Sequence, residues 1–191
     1  MTTATRLTAI ASQTIGPFFH FGIASDTSLG CIAPRLRPGQ GADSSAGRIR
    51  LTMRVLDGDR APVNDALIEV YQADGDGHYD RAGFCGFGRL PTGDDGSCVF
   101  ETIRPGSVPD GRGGWQAAHI DVCLFARGIL RHLYTRVYFE DDSRLAQDPL
   151  LSLVPEHRRG TLIAQPVPDA PGQWWFDIRL QGERETVFFD L

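Results

Sequence analysis

Ile49-Arg50-Leu51-Thr52-Met53-Arg54-Val55 alternates apolar and polar side chains at every step, and Asp57-Gly58-Asp59 follows it. Successive side chains of an extended backbone point to opposite faces. The stretch therefore predicts a strand with one buried and one wet face, closed by a tight turn. Outward from it the same period recurs. Ala66 to Gln72 predicts a second strand, ending in the turn-rich Ala73-Asp74-Gly75-Asp76-Gly77. Asp94-Asp95-Gly96 turns into a short strand at Cys98 to Glu101. Ala118 to Ala126 and His132 to Phe139, apolar on both faces at several positions, predict central strands. Trp174 to Leu180 and Thr186 to Phe189 complete the set. Only Asp148 to Ala164 carries a helical pattern, interrupted by Pro155 and Gly160. Short strands between Gly, Pro and Asp turns predict a mainly β fold, a β-sandwich with Greek-key connections and one or two short helices.

Ahead of that body, residues 1–47 are expected to be an arm and linker, with the sandwich domain over 48–191. Thr14 to Phe21 is aromatic without helical or strand period, and alone it would expose a large apolar surface. Two readings are open: it folds back onto its own core, or it packs on another chain. Gly30 to Gly47 is rich in Gly, Pro and Ser, as suits a surface connection.

Composition narrows the function. The 191 residues, 41% of them hydrophobic, are enough for one soluble domain with a sizeable core. All 19 basic residues are arginine. Without lysine there is no P-loop grip on phosphate and no Schiff base, with pyridoxal phosphate or otherwise. A net charge of −5 with no basic tract points away from nucleic acid and anionic membranes. Met1 to Ser12 has no apolar run long enough for a signal peptide, and no later run is long enough for a bilayer span. The expected location is the cytoplasm. There Cys31, Cys85, Cys98 and Cys123 are expected to stay reduced, as small core residues.

Candidate chemistry is sparse. Period two puts His119, Asp121 and Cys123 on one face of their strand, opposite Ile120, Val122 and Leu124. His119 and Asp121 can ligate one metal, or simply hydrogen-bond to each other. Asp74-Gly75-Asp76-Gly77-His78 offers oxygen donors at alternate positions, yet lacks the downstream glutamate and the glycine of a calcium loop, so it reads as a polar turn. There is no Gly-x-Ser-x-Gly elbow. From the residues alone the chemistry stays unassigned.

The run Ile68-Glu69-Val70-Tyr71-Gln72-Ala73-Asp74-Gly75-Asp76-Gly77-His78-Tyr79 resembles the signature of the intradiol ring-cleavage dioxygenases. Asp94-Asp95-Gly96, Thr102-Ile103-Arg104-Pro105-Gly106, Trp115 with His119-Ile120, and Tyr134-Thr135-Arg136-Val137-Tyr138-Phe139 recur in the family's order. Ser12 to Phe18 resembles the arm of its two-chain members, so the likeness runs from Ser12 to the C-terminus. It implies a β-sandwich and Fe(III) held by two tyrosines and two histidines, phenolates being hard anionic donors that favour the ferric state. Tyr79 and His119 match one ligand of each kind. Asp121 stands at the second histidine position, Val108 at the second tyrosine, and Gln116 where catalytic chains carry an arginine.

Two-chain members of the family pair a chain that has lost the iron site with a homologous beta chain that keeps it, and this sequence resembles the former. The resemblance implies no catalytic residue and no metal in this chain alone. Fe(III) is then held by the beta subunit, within a large alpha-beta hetero-oligomer. Protocatechuate and O2 meet at the shared site, and both oxygen atoms enter between the two hydroxylated carbons. Thr14, Gly16 and Pro17 are expected to line the partner's pocket, Gly and Pro giving a rigid backbone wall for a flat ring. Arg136, among apolar and aromatic neighbours, is expected either to meet the substrate carboxylate or to form an ion pair with an acidic residue. Three other readings stand beside this one: a catalytic enzyme with iron on Tyr79, His119 and Asp121, a transthyretin-like binding module, and a purely structural scaffold.

Overall fold

The computed structural model describes residues 11–16, 18–24, 47–79 and 84–190. Its first strand, β1 (Arg48–Leu56), alternates as its sequence does: Ile49, Leu51, Met53 and Val55 are buried while Arg50 is exposed. It is flanked on both sides. β4 (Ser97–Ile103) runs antiparallel to it, with Phe100 opposite Leu51 and Cys98 opposite Met53. β10 (Gln173–Arg179) runs parallel, with Trp174 opposite Leu51 and Phe176 opposite Met53.

The second half of the sheet is built from β2 (Leu67–Gln72), β3 (Phe87–Pro91), β7 (His119–Phe125) and β8 (Leu133–Phe139). A short strand, β9 (Ile163–Pro166), serves both halves: Ile163 and Ala164 pair with β8, Gln165 and Pro166 with β10. The resulting order is β3-β2-β7-β8-β9-β10-β1-β4. The edge strands β3 and β4 also touch, so the sheet wraps nearly closed. One core fills the space between the halves. It holds Ile49, Leu51, Met53 and Val55 from one side and Ile68, Val70, Ile120, Val122 and Leu124 from the other. Each such side chain contributes roughly 1.5–3 kcal/mol through removal of apolar surface from water.

Several expectations are corrected. The helical stretch from Asp148 to Ala164 is two short helices, α2 (Pro149–Leu153) and α3 (Glu156–Arg159), then a 3-10 turn at Gly160–Leu162; its end is strand β9. Pro155 and Gly160 divide it, and Ala164 pairs with Phe139 where a helix was expected. Thr186 to Phe189 is not a strand; it makes one bridge, Phe189 to Tyr134. Cys85 is exposed and therefore no core residue, whereas Cys98 is buried. Burial pushes the Cys98 and Cys123 thiols up to about 12. Cys31, Pro17 and residues 25–46 lie outside the described residues.

The arm folds back in part onto its own body, the first of the readings offered for it. Phe19 of its helix, α1 (Phe19–Ile23), sets its ring 5.7 Å from that of Phe125, and with Ile15 it borders a groove shared with Ala126 and Ile129. The Gly128 N–H donates to Thr14 Oγ1 at 2.7 Å, and Arg89 donates to the Ile23 carbonyl at 3.1 Å. Phe18 and Phe21, stacked on each other, are 75% and 65% exposed. No helix among the described residues is long and apolar enough to cross a membrane.

Candidate functional site

The turn after β2 is what carries Tyr79 to the end of β7. Asp74 Oδ1 accepts the backbone N–H groups of Asp76 and His78, each at 2.9 Å, and the Gly106 N–H donates to the Asp74 carbonyl at 2.8 Å. Gly77 has φ +83°, and a Cβ there would collide with the Ser107 carbonyl. Only glycine allows the turn to close so tightly on the loop that precedes Val108. Asp74, Asp76 and His78 each bring a donor atom within 4.8 Å of the others. Asp74 Oδ1 serves the turn's own amides, as a polar turn requires.

His119, the first residue of β7, is 1% exposed. Its Nδ1 bonds the Ala117 carbonyl at 2.8 Å, which leaves Nε2 facing the Tyr79 hydroxyl at 3.3 Å. Burial and then the Arg136 guanidinium hold the imidazole below its usual range. Burial and then the Asp121 carboxylate push the Tyr79 phenol up to about 12. The Tyr79 ring also stacks on Tyr71, centroids 5.2 Å apart. At neutral pH this is a phenol against a neutral imidazole.

Asp121 lies two residues along the same face, its Oδ2 3.9 Å from His119 Nε2. Its Oδ1 is taken at 2.7 Å by the Nε of Arg136, the residue directly opposite on β8. The Arg136 Nη1 reaches Gln116 Oε1, also at 2.7 Å. Gln116 belongs to a two-strand ribbon, β5 (Val108–Pro109) with β6 (Trp115–Gln116), in which it sits opposite the buried Val108. The fold thus links positions 79, 108, 116, 119, 121 and 136 in one neighbourhood. Beneath it the fully buried Asp148 accepts four donors: the Tyr138 hydroxyl and the amides of Ala117, Leu150 and Leu151. Two of those fix the backbone beside His119 and the strand that carries Arg136.

The donor set does not suit Fe(III). Tyr79 and His119 converge, but Val108 supplies no donor atom and Asp121 is engaged by a permanent cation. Arg136 is found in an ion pair inside the chain, one of the two arrangements expected of it. Outside the sheet a groove of about 340 Å³ continues from Asp121 and Arg136 past Tyr71, Cys123 and Tyr134. Thr14 and Gly16 are exposed, with nothing within 4 Å of where a Gly16 Cβ would stand. Reading the sequence missed the Gln116–Arg136 bond and the role of Asp148. The only signal for the former was the Gln116 departure.

Residues 33–182 match the family described as Dioxygenase. The chain is 39% identical to the protocatechuate 3,4-dioxygenase alpha chain of Burkholderia cepacia, over 98% of this chain and 100% of that one. The protocatechuate 3,4-dioxygenase beta chain of Burkholderia cepacia is 35% identical, over 73% of this chain and 66% of its own length. Among solved structures, the dioxygenase domain of a dioxygenase–carbohydrate-binding protein fusion from Streptomyces sp. SirexAA-E is similar at a TM-score of 0.58 and 28% identity. That likeness covers 76% of this chain and 84% of that one.

Proposed function

The chain belongs to the intradiol ring-cleavage dioxygenase family, and on that premise we propose that it is the iron-free alpha subunit of a protocatechuate 3,4-dioxygenase. Its partner is a homologous beta subunit that holds Fe(III). Together they insert both atoms of O2 between the hydroxylated carbons of protocatechuate, giving 3-carboxymuconate. The observation that carries this reading is the donor set: of the four ligand positions Val108 has no donor atom and the Asp121 carboxylate is held by Arg136, which leaves Tyr79 and His119, and they bond each other. The full-length similarity to an alpha chain supports it.

In this role the chain acts by shape and charge. Thr14, Gly16 and Pro17 of the arm form a backbone wall of the partner's pocket, and Arg136 brings a fixed cation toward the substrate carboxylate. The exposed Phe18 and Phe21 make the arm's contact with the partner. Assembly proceeds in the cytoplasm, into a large alpha-beta oligomer. A catalytic reading with iron on Tyr79, His119 and Asp121 is disfavoured, because Arg136 already holds the Asp121 carboxylate.

The test is to prepare the chain alone and together with a homologous chain that has all four ligands. Alone it should hold no stoichiometric iron, show no tyrosinate-to-iron colour and turn over no protocatechuate. Together the two should co-elute on size exclusion, with one iron per pair and full activity. Iron at one per chain in the isolated protein would sink the proposal.

A further inference from the structure

The departures from the iron-holding pattern converge on one side chain. Asp121 and Gln116 are both acceptors, and each takes a different N–H of the same guanidinium, at 2.7 Å. The catalytic pattern has a histidine and an arginine at those two places. With Arg136 present, an arginine at 116 would set a second cation beside it, and a histidine at 121 would offer at most one acceptor nitrogen and no charge in place of a carboxylate. Positions 116, 121 and 136 therefore form one set, in which acceptors at the first two fit an arginine at the third.

We propose that Arg136 is the resident cation of this pocket: held by Asp121 and Gln116, it keeps metal ions off the Tyr79–His119 pair, and it continues to do so from its remaining bond to Gln116 when Val108 and Asp121 are replaced by the missing ligands. The inference rests on the reading of the chain as an iron-free subunit, and adds what enforces that state. The contacts are continuous: the Tyr79 hydroxyl lies 3.3 Å from His119 Nε2, Asp121 Oδ2 lies 3.9 Å from that nitrogen, and Asp121 Oδ1 bonds Arg136. A metal ion drawn to these donors meets a like charge one side chain away. The Arg136 side chain is only 19% exposed, so water and salt screen that repulsion poorly. A guanidinium cannot relieve it by losing a proton.

The full chain is compared in four forms: unaltered, with Val108→Tyr and Asp121→His, and with that pair plus either Arg136→Gln or Arg136→Lys. Each is incubated with ferric citrate, desalted and analysed for iron and visible absorbance. The unaltered and doubly substituted chains should stay iron-poor. Adding Arg136→Gln should raise retained iron at least tenfold and bring in the tyrosinate-to-iron colour. Adding Arg136→Lys, which keeps the charge and loses the fork, should leave the chain iron-poor. Equal iron in the double variant with and without Arg136→Gln overturns the proposal, as does an Arg136→Lys form that fills equally well. Arg136→Gln in the otherwise unaltered chain gives a second reading should the heavier variants not fold. It frees Tyr79, His119 and Asp121 as three donors, and Co2+ should bind at least tenfold tighter than to the parent. Unchanged Co2+ affinity overturns the proposal too. One iron per unaltered chain would instead defeat the iron-free reading itself.

Discussion

The Tyr138 hydroxyl donates to Asp148 Oδ1 at 3.1 Å, and both side chains are fully shut away from solvent. Asp148 also caps α2 through the Leu150 and Leu151 amides and holds the Ala117 amide. Asp148→Ala would strand a buried hydroxyl and three backbone N–H groups together, so a loss of about 3–5 kcal/mol is expected. Tyr138→Phe leaves the carboxylate three donors and should cost only about 1–2 kcal/mol. Urea unfolding of the two variants checks the ordering; equal losses would show that Asp148 works through Tyr138 alone.

Alkaline pH should weaken the fold through Tyr79. Its folded pKa is about 12, against an ordinary 10.0. Between those values the unfolded chain releases the proton and the folded chain keeps it. Stability is therefore full below pH 10 and falls as pH rises toward 12. Tyr138, raised above its ordinary range by burial and then by Asp148, adds to the fall in the same direction. Tyr79→Phe should make the decline shallower when urea midpoints are compared across this window. An unchanged slope would mean that Tyr79 titrates as it does in the unfolded chain.

In the assembled enzyme, Arg136→Ala should raise KM for protocatechuate and leave kcat largely as it was, since the contact acts on bound and transition states alike. A charge-assisted contact of this kind is worth on the order of 1.5–3 kcal/mol, roughly ten- to a hundredfold in kcat/KM. Catechol lacks the carboxylate and should be indifferent. Equal loss for both substrates, with assembly intact, would assign Arg136 to its pair with Asp121 and not to the substrate.

Removing the residues before Gly22 should raise the solubility of the isolated chain and abolish its assembly with a beta partner. Phe18 and Phe21 supply the exposed apolar surface, while Ile15 and Phe19 lie on the body. Phe18→Ser with Phe21→Ser is the milder form and should weaken assembly without loosening the fold. Normal co-elution of the truncated chain would remove the arm from the interface.

Much of the frame is legible from period two. The face carrying His119, Asp121 and Cys123 is indeed opposite to the face that enters the core through Ile120, Val122 and Leu124. What escapes is whatever depends on register. Nothing along the chain says that Asp121 will stand opposite Arg136, since that is set by how β7 and β8 meet. β3 escapes because Gly88 and Pro91 interrupt any alternation. β9 escapes because its four residues follow directly on helical turns, and their partners lie on two different strands. Thr186 to Phe189 misleads in the opposite sense: Thr, Val and two Phe are all strand formers, but the stretch makes a single bridge.

β9 carries a mechanical burden out of proportion to its length. Four residues are stitched to β8 on one side and to β10 on the other. A tear along that seam would open the core of both halves to water at once, because the same apolar interior lies under each. The amides of Ile163 to Gln165 should accordingly exchange with deuterium only as slowly as global unfolding permits, in step with those of Leu51 and Val122. Pro166 has no N–H to contribute, and the stitching runs on past it through the Val167 N–H, which donates to the Gln173 carbonyl at 2.9 Å.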